Sequence, residues 1–155
     1  MRGKTAPKRE IIPDPKFQNT EVAKFVNYVM RRGKKSIAQG IVYNAFDIIA
    51  EKTQKSPLEV FELAIKNVAP TLEVKGRRIG GANYQIPIQV KAERRYLLAC
   101  RWIIDACKER KGKPMAEKLA QELMDAAKKE GNAMKKRETV QKMAEANRAF
   151  AHFAR

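Results

Sequence analysis

The chain has 155 residues, enough for one domain of ordinary size with a real core. Thirty-three Lys and Arg stand against seventeen Asp and Glu, a formal net charge of +16, while 44% of residues are hydrophobic. That apolar content argues against disorder throughout. A charge excess of this size repels itself in a compact fold and calls for a polyanionic partner, nucleic acid being the usual one.

A membrane surface is the weaker alternative. No apolar run approaches the roughly 18 residues of a spanning helix. Residues 1–15 are basic, contain proline and lack the apolar core of a secretory leader. Cys100 and Cys107 fall in a helical stretch, where their spacing is about 10 Å along the axis, too far for a disulfide. Both read as small core residues of a cytosolic protein. With one His, His152, and no CxxC pair, a zinc site is not expected.

Residues 1–18 have neither helical nor strand period. They carry Arg2, Lys4, Lys8, Arg9 and Lys16 among Pro7, Pro13 and Pro15, which reads as an extended arm that orders on a phosphate backbone. A first helix is expected from Asn19 or Thr20. Val22, Phe25, Val26, Val29 and Met30 form its buried face, Arg31 and Arg32 lie at its end, and Gly33 is its stop. Lys34 and Lys35 complete a basic link.

The second helix should turn Ile37, Ile41, Ala45, Ile48 and Ile49 inward. Ser56, Pro57 and Glu59 read as a capping box with proline at the first helical position. This third helix buries Leu58, Phe61, Ala64, Ile65 and Val68, and Pro70 ends it.

Residues 72–90, LEVKGRRIGGANYQIPIQV, read as a β-ribbon. Two alternating runs flank Gly80 and Gly81, which supply the positive φ angles of a tight return. Pro87 cannot donate a ladder bond, which favours an isolated hairpin. The ribbon carries Lys75, Arg77, Arg78, Asn83, Tyr84 and Gln85, as suits insertion into structured nucleic acid.

A fourth helix is expected over residues 92–110. Tyr96, Leu97, Cys100, Ile103, Ile104 and Cys107 face the core, and Arg94, Arg101 and Lys108 align on another face beside Arg95. Trp102 reads as partly buried. Arg110, Lys111 and Lys113 form a basic loop. The fifth helix turns Met115, Leu119, Leu123 and Ala127 inward and stops near Gly131. A last, largely superficial helix starts near Asn132, and residues 150–155 form a short tail. The whole is a mainly α single domain, with an arm over 1–18, a body over 19–149 and the tail.

No P-loop, GxGxxG, GxSxG or HExxH is present, and His152 has no orienting partner, so no catalytic residue is assigned. RNP1 aromatics and a GXXG clamp are also missing. Two other readings remain open: an architectural DNA-binding protein and an enzyme acting on RNA. The missing acid/base constellation argues against the second.

Five blocks carry a family resemblance: PKREIIPDP, GKKSIAQGIVYNAFDII, PTLEVKGRRIGGANYQIPIQV, ERRYLLACRWII and MAEANRAFAHF. In this order they resemble the bacterial small-subunit ribosomal protein S-seven family across essentially the whole chain. Departures are local, at Gly76 and in the tail. The resemblance implies a bundle of about six helices with a protruding ribbon, in the cytoplasmic ribosome, with no cofactor and no metal. It implies binding to the 3′ major domain of small-subunit ribosomal RNA and initiation of head assembly. It also places the protein at the subunit interface, its ribbon near the exit-site transfer RNA and the message. Partners are then neighbouring ribosomal proteins of head and platform, not a second copy or a membrane. Some members also repress translation of their own message. The ribosomal RNA contacts so implied are Arg2, Lys4, Lys8, Arg9, Arg31, Arg32, Lys34, Lys35, Lys75, Arg77, Arg78, Arg94, Arg95, Arg101, Lys108, Arg110, Lys111 and Lys113. Arg77, Arg78, Gly80, Gly81, Asn83, Tyr84 and Gln85 make the ribbon tip.

Overall fold

A computed structural model describes residues 3, 6, 7 and 9–154. Its elements, in order, are α1 (Thr20–Val29), α2 (Lys35–Thr53), α3 (Pro57–Val68), β1 (Leu72–Ile79), β2 (Ala82–Gln89), α4 (Ala92–Glu109), α5 (Met115–Ala127), α6 (Asn132–Ala146) and a 3-10 helix, Arg148–Ala154. The protein is mainly α, as expected. The chain forms two compact units, residues 1–40 and 41–155, with the boundary inside α2.

In the first unit, the Asn19 side chain starts α1, its Oδ1 accepting from the backbone N–H of Glu21 at 2.7 Å and of Val22 at 3.4 Å. Just before it, Asp14 is buried, and its Oδ2 accepts from the N–H of Lys16 and Phe17. This local turn is the habit of an Asp before proline. The extended arm therefore ends at Asp14, not at residue 18. Helix α1 buries Val22, Phe25, Val26 and Val29 and stops at Val29, capped by Met30. Gly33 is not its stop. With φ +74° it lies in the turn that leads into α2, and Arg32 also takes a positive φ.

The buried face of α2 differs from the expected one. Ala38, Val42, Ala45, Phe46 and Ile49 are buried, whereas Ile37 is 58% exposed and Ile41 and Ile48 are half-buried. The observed set keeps the 3, 4 spacing and includes Phe46, the largest apolar residue of the helix. Counting isoleucines picked a face rotated from the one that buries that ring.

In the second unit, Phe46 meets Phe61 of α3 with ring centroids 5.6 Å apart, tilted by 53°. Full burial of such a side chain contributes about 1.5–3 kcal/mol. Pro57 opens α3 as expected, but Ser56 makes no side-chain capping bond, so no capping box closes. Helix α3 packs on α5 and α4, and α4 packs on α5 and α6. Leu98 and Ala99 join Cys100, Ile103, Ile104 and Cys107 in the core, while Tyr96 and Leu97 are only half-buried. Asn67 ties three helices: its Nδ2 donates to the carbonyls of Ala126 and Ala127 at 3.0 Å, and its own carbonyl accepts from Arg137 of α6. Two carbonyls at the C-terminal end of α5 are satisfied in this way.

The two strands pair only with each other, antiparallel, from Leu72 opposite Gln89 to Ile79 opposite Ala82. Gly80 and Gly81 make the return with φ +56° and +89°. The hairpin is not bare, however. Helix α6 lies along β1, and the 3-10 helix packs on β2.

Candidate nucleic-acid interface

Cross-strand partners share a face. One face of the ribbon therefore carries Glu73, Lys75 and Arg77 opposite Ile88, Ile86 and Tyr84. The other carries Gly76 and Arg78 opposite Gln85 and Asn83. Arg77 and Arg78 point to opposite sides, and their surroundings differ. Arg77 Nη1 donates to the Phe153 carbonyl at 2.8 Å. Tyr84 lies 5.1 Å from the Phe150 ring and 5.7 Å from Phe153. Arg78, Asn83 and Gln85 are exposed. Arg77 and Arg78 are both exposed, and Arg77 in addition is bonded to the 3-10 helix.

At the base of the ribbon, Glu73 is only 8% exposed. Arg94 of α4 donates to its carboxylate at 2.7 Å, and Lys75 Nζ lies 3.3 Å away. Arg95 Nε donates to the Val90 carbonyl at 3.0 Å. These cations join ribbon and helix and keep part of their charge occupied inside the protein. Of the aligned set on α4, Arg101 is exposed, and Lys108 pairs with Asp105 at 2.7 Å.

Arg110 belongs to a different construction. Its Nε donates to Glu122 Oε2 at 2.8 Å and its Nη2 to Asp125 at 2.7 Å. Burial alone would pull the guanidinium pKa down, but the hydrogen bonds to Asp125 and Glu122 outweigh it and hold the pKa above its ordinary value. Glu122 is fully buried, and its Oε1 accepts from the Ala133 N–H at 2.9 Å. It therefore caps α6 from a neighbouring helix, where the helix dipole favours a negative charge. Gly131, at φ +93°, is needed beside it: a Cβ there would come within 2.9 Å of Glu122 Oε1. Arg110 is accordingly a structural residue, and only Lys111 and Lys113 of the expected basic loop are exposed. The signal for Glu122 was in the spacing. Positions 119, 122, 123 and 126 share one face of α5, and the other three are apolar.

Cys107 packs beside this cluster. Burial, then the negative charge of Glu122, pushes its thiol up to about 12. At pH 8 the native protein is expected to leave Cys107 unmodified by a thiol reagent that labels it fully in denaturant. Mass spectrometry of the peptide reads the difference, and rapid native labelling would contradict this burial. Because the folded value is raised, this cysteine lowers stability only at alkaline pH, as the unfolded thiol ionises above about 8.5.

In the first unit, Arg9, Arg31, Arg32, Lys34 and Lys35 are exposed, and Lys35 begins α2, whose first turn holds no acid. Lysines at a helix N-terminus oppose the dipole and do not serve the helix. Arg2, Lys4 and Lys8 lie outside the described residues. Among the described residues, no group of His, Cys, Asp and Glu side chains is arranged to hold a metal ion, and no helix is long and apolar enough to cross a membrane.

Among the described residues, a mainly helical chain with a paired ribbon and many exposed arginines and lysines makes a basic protein of the class that suits a polyanionic partner. Residues 1–148 match the family described as ribosomal protein S7p/S5e. The small ribosomal subunit protein uS7 of Pelotomaculum thermopropionicum is 60% identical over 147 residues, covering 95% of this chain and 94% of the relative. Those of Polynucleobacter asymbioticus and Cupriavidus metallidurans are 59% and 58% identical over 152 residues, covering 98% of this chain and 97% of each relative. The chain belongs to the S7p/S5e family of ribosomal proteins. Its role is structural, within the small ribosomal subunit, and the family is not enzymatic.

Proposed function

We propose that this protein binds the 3′ major domain of small-subunit ribosomal RNA and starts assembly of the subunit head. In this reading it acts as a single RNA-binding domain and a single copy. It lies at the subunit interface, with neighbouring ribosomal proteins of head and platform as further partners. Its ribbon lies near the exit-site transfer RNA and the message. The observation that carries the reading is that Arg31, Arg32, Lys34, Lys35, Arg78, Arg101, Lys111 and Lys113, among other cations of the described residues, are exposed and lie outside the ion pairs described above. Positive charge that no internal carboxylate offsets is explained by phosphates.

The test is chemical footprinting of the purified protein on complete small-subunit ribosomal RNA, with duplex DNA as competitor at equal salt. Protection confined to the 3′ major domain is expected, with little competition. Protection elsewhere, or equal affinity for the DNA, would overturn the assignment and favour an architectural DNA-binding protein.

A further inference from the structure

We propose that the 3-10 helix Arg148–Ala154 makes the ribbon one-sided, and that its opposite face, with Arg78, Asn83 and Gln85 around the gap at Gly76, is the strip that takes an RNA strand. This rests on the RNA-binding reading above and adds to it which face binds.

On the covered face the aromatic ring is packed and the charged groups are partly engaged, while Lys75 and Arg77 still reach solvent. Stacking of a base needs the open face of a ring, and Tyr84 is instead packed among Phe150 and Phe153. The Arg77 guanidinium spends one donor on the Phe153 carbonyl. The only acid of the ribbon, Glu73, also belongs to this face, where Arg94 and Lys75 hold it.

The open face differs in its outer half. Its outer half consists of two cross-strand pairs, Gly76 with Gln85 and Arg78 with Asn83, all exposed. It carries no carboxylate. Arg78 offers a planar fork that fits a phosphate. The amides of Asn83 and Gln85 each offer donors and an acceptor to base edges or a ribose hydroxyl. A Cβ built on Gly76 meets nothing within 4 Å, so the floor beside Gln85 is open to close approach. The apolar inner half of the same face, Leu72, Val74 and Pro87, is buried or half-buried. The strip is thereby confined to the outer end. Charge complementarity and planar amides on one side select RNA as the occupant.

The test compares Arg78→Ala, Asn83→Asp and Arg77→Ala in the full chain, binding a transcript of small-subunit ribosomal RNA over a range of salt. Arg78→Ala is expected to weaken binding about tenfold, the effect of one charged hydrogen-bonding contact, and to lower the salt slope by roughly 1. Asn83→Asp, which places a negative charge in the strip without removing Arg78, should also weaken binding. Arg77→Ala should leave affinity within about twofold and instead make residues 148–154 more sensitive to protease. Melting temperatures identify any variant that fails to fold, and the remaining variant then decides. An Arg77→Ala loss equal to or larger than that of Arg78→Ala would overturn the one-sided strip. So would wild-type binding with a steep salt slope that no ribbon variant alters, an outcome that leaves the RNA-binding reading standing. A wild-type protein that binds this RNA without salt dependence would remove both.

Discussion

Affinity for small-subunit ribosomal RNA is expected to fall by roughly three to five decades between about 50 and 200 mM salt, as for a protein neutralising on the order of 6–10 phosphates. The exposed cations are spread over the α1–α2 link, the ribbon, α4 and the loop before α5. Cations carried on several separate elements suit phosphate contacts and not the reading of a base sequence. Cations already paired with a carboxylate contribute less: the part-buried Arg110 on Glu122 and Asp125 above all, and the exposed Arg94 on Glu73 and Lys108 on Asp105 to a smaller degree. Filter binding or fluorescence anisotropy across the salt range measures the slope. A nearly flat plot would mean that apolar or base-edge contacts dominate, which these surface groups do not supply.

Arg110→Ala is expected to destabilise the free protein by about 3 kcal/mol or more, because it leaves the Glu122 carboxylate buried without its cation. Glu122 is fully buried whereas Arg110 reaches the surface, so water entering the space left by the guanidinium offsets only part of the loss. Glu122→Gln should cost less. Its amide oxygen can still accept from Ala133, and Arg110 keeps Asp125. Urea unfolding of the two variants tests the order. A second readout separates this role from the one the sequence suggested. The salt slope of RNA binding by Arg110→Ala, measured below its melting temperature, should match the wild type. A slope reduced by roughly 1 would restore Arg110 to the RNA interface.

Much of the fold was legible because it depends on local chemistry. Asn19 caps α1 with its own side chain, Pro57 opens α3, and paired glycines return the ribbon. None of these needs a distant partner. The functional assignment of individual cations was less legible for the opposite reason. Arg78 and Arg77 are neighbours in sequence, and only the arrival of Phe150 and Phe153 from far along the chain distinguishes them. Arg94, Arg95 and Arg110 read as surface charges because their acceptors, Glu73, the Val90 carbonyl and Glu122, lie on other elements. Glu122 itself was hidden by its charge, although its position on the apolar face of α5 marked it. Asp14 before Pro15 signalled a turn that the search for helical or strand period passed over.

The hydrogen bond from Arg77 to Phe153 spans 76 residues of sequence. On a translating ribosome that interval lasts roughly 4 to 15 s, at synthesis rates of about 5–20 residues per second. The hairpin closes in microseconds. During nascent-chain growth any hairpin that forms before α6 and residues 148–154 is marginally stable and two-faced, with Arg77 and Tyr84 both uncovered. It becomes one-faced only when residues 148–154 have been made. The order of synthesis thus gives the young protein a stickier hairpin than the finished one, and completing the chain removes the surplus contact.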